Sequence, residues 1–168
     1  MNKDNKNSDK ILTYFCYFMA VLLSILIIYL IFIQIEYYEK QDDPMLNELK
    51  DVFSKFFNQD KYWTGNLAML NDRHVMNEIN LYRGNKSYTI NKEKIYLCLK
   101  DEKGKYYNLN MLTYVLAHEF AHVLCNSVGH TDEFHAIFED ILIEMADSKL
   151  YDPKQEIITD YCEHGDKS

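Results

Sequence analysis

The chain opens on a run of apolar residues with no polar face. From Ile11 through Ile35 there are 25 residues without a charged side chain, and Thr13, Ser24 and Gln34 are its clearly polar members. At about 1.5 Å per helical residue this run exceeds the roughly 30 Å hydrocarbon core of a bilayer. Tyr14, Tyr17, Tyr37 and Tyr38 lie near its ends, where interfacial aromatic residues belong. The pattern predicts a transmembrane helix over 11–35. The run is longer than the apolar part of a signal peptide and no small-x-small cleavage site follows it, so the reading is an uncleaved signal anchor. A polar tail over 1–10 precedes it and a charged juxtamembrane linker over 36–43 follows.

Beyond the linker the apolar positions become periodic. Asp43-Pro44 suits a helix start, with Asp43 as cap and Pro44 in the first turn. Leu46, Leu49, Val52, Phe53, Phe56 and Phe57 then recur at helical spacing to about Asn58. Residues 59–76 show no clear period; Trp63 is expected to anchor core or edge. Three strand-like runs follow. Glu78–Arg83 precedes the turn pair Gly84-Asn85, and Ser87–Asn91 and Lys94–Lys100 alternate polar with apolar. In the last run Ile95, Leu97 and Leu99 face one way and Lys94, Tyr96 and Cys98 the other. Asp101-Glu102-Lys103-Gly104 reads as a turn. Asn108 or Asn110 can cap a helix running to Cys125, and Asn126, Ser127 and Gly129 suit its stop. Thr131 or Asp132 can cap a last helix with Phe134, Ile137, Phe138, Ile141, Leu142 and Met145 as its buried stripe. That helix should run to about Leu150, stopped by Asp152-Pro153. A polar tail covers 154–168. The fold class is α+β: a transmembrane helix, then one small domain over 44–153 made of a helix, a short antiparallel sheet and two further helices. The strand 94–100, next in sequence to the helix after it, is expected at the sheet edge.

The helix over 108–125 carries the chemistry. It contains His118-Glu119-Phe120-Ala121-His122, an H-E-x-x-H motif. Residues four apart lie one turn apart on the same helix face, so His118 and His122 can bind one Zn²⁺. Glu119 then points to the open side of the metal, where it can take a proton from water. A catalytic zinc needs a third protein ligand. A chain turning at Gly129 could return His130 to the metal. The competing third ligands are carboxylates of the last helix, Glu139 first, then Glu133 or Asp140. His135 is read as a surface residue.

Charge narrows the partners. Residues 36–168 hold 15 basic and 24 acidic side chains, a formal charge of −9. With no basic cluster interleaved with aromatics, nucleic acid is not an expected partner. Lys3, Lys6 and Lys10 before the apolar run favour a cytoplasmic N-terminus in a single-pass topology. Four cysteines, one of them Cys16 in the apolar run, exclude a disulfide scaffold, and no C-x-x-C pair offers a second zinc site.

The segments Tyr114–His122 and Gly129-His130-Thr131-Asp132-Glu133-Phe134 resemble the WLM and SprT-like (Spartan-related) zinc metallopeptidases, and small membrane-anchored versions encoded by large DNA viruses. The resemblance covers about residues 78–151. In those families a third histidine follows the motif helix after a loop, and an aromatic residue four positions on opens a packed helix. The resemblance implies a zincin-like domain, zinc held by His118, His122 and His130, and Glu119 as general base. Seven residues separate His122 from His130, against five in compact WLM members. The expected function is a membrane-anchored, zinc-dependent metalloendopeptidase acting on a protein or peptide, in a viral or host membrane. The alternatives are a catalytically silent, membrane-anchored binding or scaffold protein, and a zinc hydrolase of a non-peptide bond.

Overall fold

A computed structural model describes residues 4–72, 78–158, 161 and 162. Residues 1–3, 159, 160 and 163–168 of the two expected tails, and 73–76 of the unpatterned stretch, lie outside the described residues. The chain divides into two units, Met1–Glu39 and Lys40–Ser168.

The described part of the first unit is helical throughout and belongs to α1 (Asp4–Gln41). Its segment Leu12–Ile35 has a mean hydropathy of 2.8 over 24 residues, which is long and apolar enough to cross a membrane. Residues 4–10 of the polar tail and 36–41 of the charged linker are helical and continuous with the apolar run. No glycine or proline interrupts the chain before Asp43-Pro44, and Glu, Lys and Gln are good helix formers.

In the second unit α2 (Pro44–Phe57) starts as the sequence predicts. The Asp43 carboxylate accepts from the Met45 amide at 3.0 Å, and Pro44 occupies the first turn. Leu46, Leu49, Val52, Phe53 and Phe56 are its buried face. Asp43 is itself buried, and its second oxygen accepts from the Tyr106 hydroxyl at 3.0 Å and from Arg83 at 3.3 Å. Asp43→Ala removes a cap and orphans Tyr106, and should cost about 2–3 kcal/mol of stability. Urea unfolding checks this; a loss under about 0.5 kcal/mol would show that the cap is dispensable.

A 3₁₀ helix (Gly65–Asn71) follows, burying Leu67 and Leu70. Trp63 just before it is a core residue, 4 % exposed, with the Lys61 ammonium 4.2 Å from its ring centre. Lys61 also pairs with Glu144.

Strands β1 (Asn80–Gly84), β2 (Tyr88–Ile90) and β3 (Lys94–Cys98) form a sheet in the order β1-β3-β2. Two expectations are corrected. The sheet is mixed, because β1 runs parallel to β3 while β2 is antiparallel to it. The strand beginning at Lys94 is central, and β2 is an edge. The core explains the order. Leu81 pairs with Ile95, and with Leu97 they make a continuous buried face. Strand β2 turns only Thr89 inward, a polar residue suited to a margin. The crossing from β1 to β2 needs Gly84: a Cβ there would lie 2.7 Å from the Lys86 carbonyl and 3.2 Å from Tyr96 Cβ. Asn91 and Lys92, both at positive φ, turn β2 into β3, closed by the Glu93 amide on the Ile90 carbonyl.

Helix α3 (Leu109–Leu124) is capped by Asn108, whose side chain accepts from the Met111 amide at 2.7 Å. Asn110, the other cap candidate, bonds the Asp152 backbone instead. Helix α3 is the centre of the domain, packed against α2, β2, β3 and α4 (Asp132–Asp147). Phe120 sits edge-on to Phe53 and Phe57, with centroids 5.2 and 5.1 Å away. Helix α4 is capped by Thr131 and ends three residues before the expected Leu150. Lys149 takes a positive φ, and the Leu150 and Tyr151 amides turn back to the Met145 carbonyl. Cys98 and Cys162 form a disulfide, which adds a C-terminal contact beyond the expected domain end at 153.

Candidate metal centre

The regular geometry of α3 sets His118 and His122 one turn apart on the face opposite Phe120. The turn after Cys125 then reverses the chain at Gly129, which adopts φ 88°, a conformation that favours glycine. His130 returns over the same helix face. The three side chains each offer a ligand atom, all within 4.8 Å of one another. The Nε2 atoms of His118 and His130 are 3.0 Å apart. Two imidazole nitrogens on one tetrahedral zinc, each about 2.0–2.1 Å from it, lie about 3.3–3.4 Å apart. The three ligand atoms are thus close enough to converge on one metal ion, and the His118–His130 pair already stands within a few tenths of an ångström of the separation that zinc would set.

Burial favours the neutral, metal-binding form of His118 and His122. His118 is lowered to about 4, first by burial and then by His122, His130 and His135. His122 is lowered by burial and by His130. The floor of the site is Phe134, 1 % exposed, with ring centroids 4.3 Å from His122, 4.7 Å from His130 and 5.0 Å from His118. None of the rival carboxylates belongs to this group. Glu139 is exposed, Asp140 accepts from Asn66 at 3.0 Å, and Glu133 is engaged elsewhere. His135 is exposed and also stands outside it.

Glu119 is buried beside the histidines, and burial raises its carboxyl to about 7 against the opposing hydrogen bond from Thr89. The Thr89 hydroxyl lies 2.9 Å from Glu119 Oε2 and 2.9 Å from the Glu119 carbonyl. Thr89 thereby fixes where the carboxylate points. Nothing in the sequence pairs a residue of β2 with a helix thirty positions on, so this partner was not legible. Strand β2 is itself held at both ends. The Lys92 ammonium donates to the Cys125 carbonyl at 2.8 Å, at the end of α3. At the other end the Ser87 hydroxyl accepts from the Cys98 amide at 3.0 Å and lies 2.8 Å from the Tyr161 hydroxyl, which donates to the Cys98 carbonyl. Strand β2 and the loop 126–130 wall a cleft of about 470 Å³ that is lined by His118, Glu119, His122 and His130.

Glu133 staples the loop that delivers His130. Its carboxylate accepts from the Ser127 hydroxyl at 2.8 Å, the Asn126 side chain at 3.0 Å and amide at 3.2 Å, and the Ser127 amide at 3.3 Å. These bonds, the Ser127 hydroxyl foremost, lower its carboxyl from 4.5 to about 2. The depressed folded value means that the staple's contribution is complete above 4.5 and disappears as pH falls toward 2. Glu133→Ala should weaken metal binding at the three histidines about tenfold, as loss of an outer-shell support does. Competition against a chromophoric chelator measures it; unchanged affinity would show that the loop is positioned by other contacts.

The comparisons with known proteins point to viruses. The chain is 47% identical over 105 residues to uncharacterized protein 136R of Invertebrate iridescent virus 6, matching 61% of this chain and 59% of that protein. It is 40% identical over 99 residues to uncharacterized protein 042R of Invertebrate iridescent virus 3, matching 58% of this chain and 62% of the relative. A shorter match, 39% over 67 residues, links it to uncharacterized protein R325 of Acanthamoeba polyphaga mimivirus, across 39% of this chain and 34% of the relative. The chain thus spans about three fifths of the length of the iridescent-virus relatives. No protein-family profile matches it, and no solved structure matches it.

Proposed function

We propose that this chain is a membrane-anchored zinc metalloendopeptidase with a zincin-like domain of the WLM and SprT-like kind. The observation that carries the reading is the convergence of His118, His122 and His130 with Glu119 buried beside them in an open cleft. An all-imidazole set of three suits zinc and leaves a fourth position open. A metal ion held there supplies Lewis-acid polarisation of the scissile carbonyl and lowers the pKa of water. The remaining work falls to the chain. Glu119 takes the proton of the attacking water and delivers it to the leaving amine. Thr89 keeps that carboxylate aimed at the cleft. The free backbone groups of β2 pair with an extended substrate.

Lys3, Lys6 and Lys10 favour a cytoplasmic N-terminus, which puts the domain on the far side of the membrane. The Cys98–Cys162 disulfide suits such an oxidising compartment. The test uses the full chain in detergent, loaded with zinc, incubated with a mixed peptide library. New termini read by mass spectrometry and abolished by a chelator support the reading. One zinc per chain with no new termini would overturn the peptidase assignment in favour of a silent binding protein or a hydrolase of another bond.

A further inference from the structure

Three tyrosines cross the sheet on the face turned away from the core. Tyr82 of β1 pairs with Tyr96 of β3, and Tyr96 with Tyr88 of β2. Their rings stack in sequence, with centroids 5.1 Å apart at 22° and 4.7 Å apart at 15°. Within the sheet each ring covers the next. The row stops at Tyr88 because β2 is an edge, and Tyr88 is left 43% exposed. Ile90, two residues on along the same face, is 39% exposed. Thr89 between them points the other way, onto Glu119. The edge strand therefore joins the metal cleft on one side to an open ring stack on the other, and Tyr88 borders both.

We propose that β2 takes an extended stretch of substrate and that an aromatic side chain of that stretch, lying across from Tyr88, forms the fourth rung of the stack. This rests on the peptidase reading of the metal cleft. Side chains of a paired strand alternate between faces. A substrate residue opposite Thr89 looks toward Glu119 and the histidines, and its chain neighbour opposite Tyr88 looks toward the stack. Cross-strand partners have Cβ atoms close enough for ring-on-ring contact, and stacked aromatics gain beyond their buried area. The formal charge of −9 over residues 36–168 adds a long-range preference for a basic stretch over an acidic one. The substrate class is thus an extended, basic polypeptide segment with one aromatic residue within about two positions of the bond that is cut.

The experiment scans a single phenylalanine along a lysine-flanked alanine-serine decapeptide. With the full zinc-loaded chain, kcat/KM is measured for each peptide; with the Glu119→Gln chain, Kd is measured by fluorescence anisotropy. One register should favour phenylalanine over alanine by about tenfold in both. Tyr88→Ala should bring that ratio to about one, and Tyr88→Phe should keep it. Tyr88→Leu, which fills the volume without a ring, serves in place of the alanine variant if the latter does not fold. A preference seen in binding without cleavage sinks the peptidase reading and with it the claim that the bound stretch is a substrate, leaving only the seating of an aromatic side chain on Tyr88. Cleavage without an aromatic preference, or a preference that survives loss of the Tyr88 ring, overturns the inference and leaves the peptidase reading standing. Neither binding nor cleavage overturns both.

Discussion

Glu119→Gln should bind zinc like the wild type and lose hydrolysis by about a thousandfold, within the range usual for removing a general base. The substitution is well posed by its surroundings. Gln keeps the size of the side chain, and its amide oxygen can still accept from the Thr89 hydroxyl that lies 2.9 Å from Glu119 Oε2. The three imidazoles are untouched, so metal content by mass spectrometry should stay at one per chain. What disappears is a group able to hold a proton between water and the leaving amine. If the glutamine variant cleaved at even a tenth of the wild-type rate, Glu119 would not be the base, and its burial would need another reason. If it lost zinc as well, the carboxylate would belong to the metal's support rather than to the chemistry.

His118→Ala and His122→Ala should each abolish zinc binding, with a stability effect that depends on zinc. Without metal, three imidazoles share a small volume; His118 is held down to about 4 by burial and by its neighbours. Deleting one relieves that crowding, so the metal-free variants should unfold close to the metal-free wild type. Zinc at a hundred times its Kd adds about 2.7 kcal/mol to whatever binds it, a rise of roughly 8 °C for a domain of this size. The wild type should show that rise and the two variants should not. Scanning fluorimetry with and without zinc reads it directly. His130→Ala should weaken binding rather than only shift stability. Normal affinity there would transfer the third position to a carboxylate such as Glu139. A zinc-dependent rise that persisted in His118→Ala would sink the ligand assignment.

Much of this site could be read from local chemistry. Asp43-Pro44, Asn108 and Thr131 announce their helices by capping, and the histidine spacing needs only the pitch of a helix to place two donors together. The return of His130 was legible because Gly129 permits a turn that other residues resist. The sheet order was not. Alternation tells which side of a strand faces inward, but not which strand lies beside it. That choice was made by Leu81, which extends the buried face of Ile95 and Leu97 only if β1 sits next to β3. Thr89 was hidden for the same reason, since its partner is set by tertiary packing.

The Cys98–Cys162 bond closes a covalent ring 64 positions around. His118, Glu119, His122 and His130 all lie inside it. A backbone cut anywhere in that ring, at the 101–104 turn or in the loop before His130, would leave both pieces joined. Such a molecule would migrate as one chain on a non-reducing gel and separate only after thiol treatment. Self-cleavage within the ring would therefore escape notice wherever samples are examined without reductant, and the nicked protein could retain all three imidazoles around its metal.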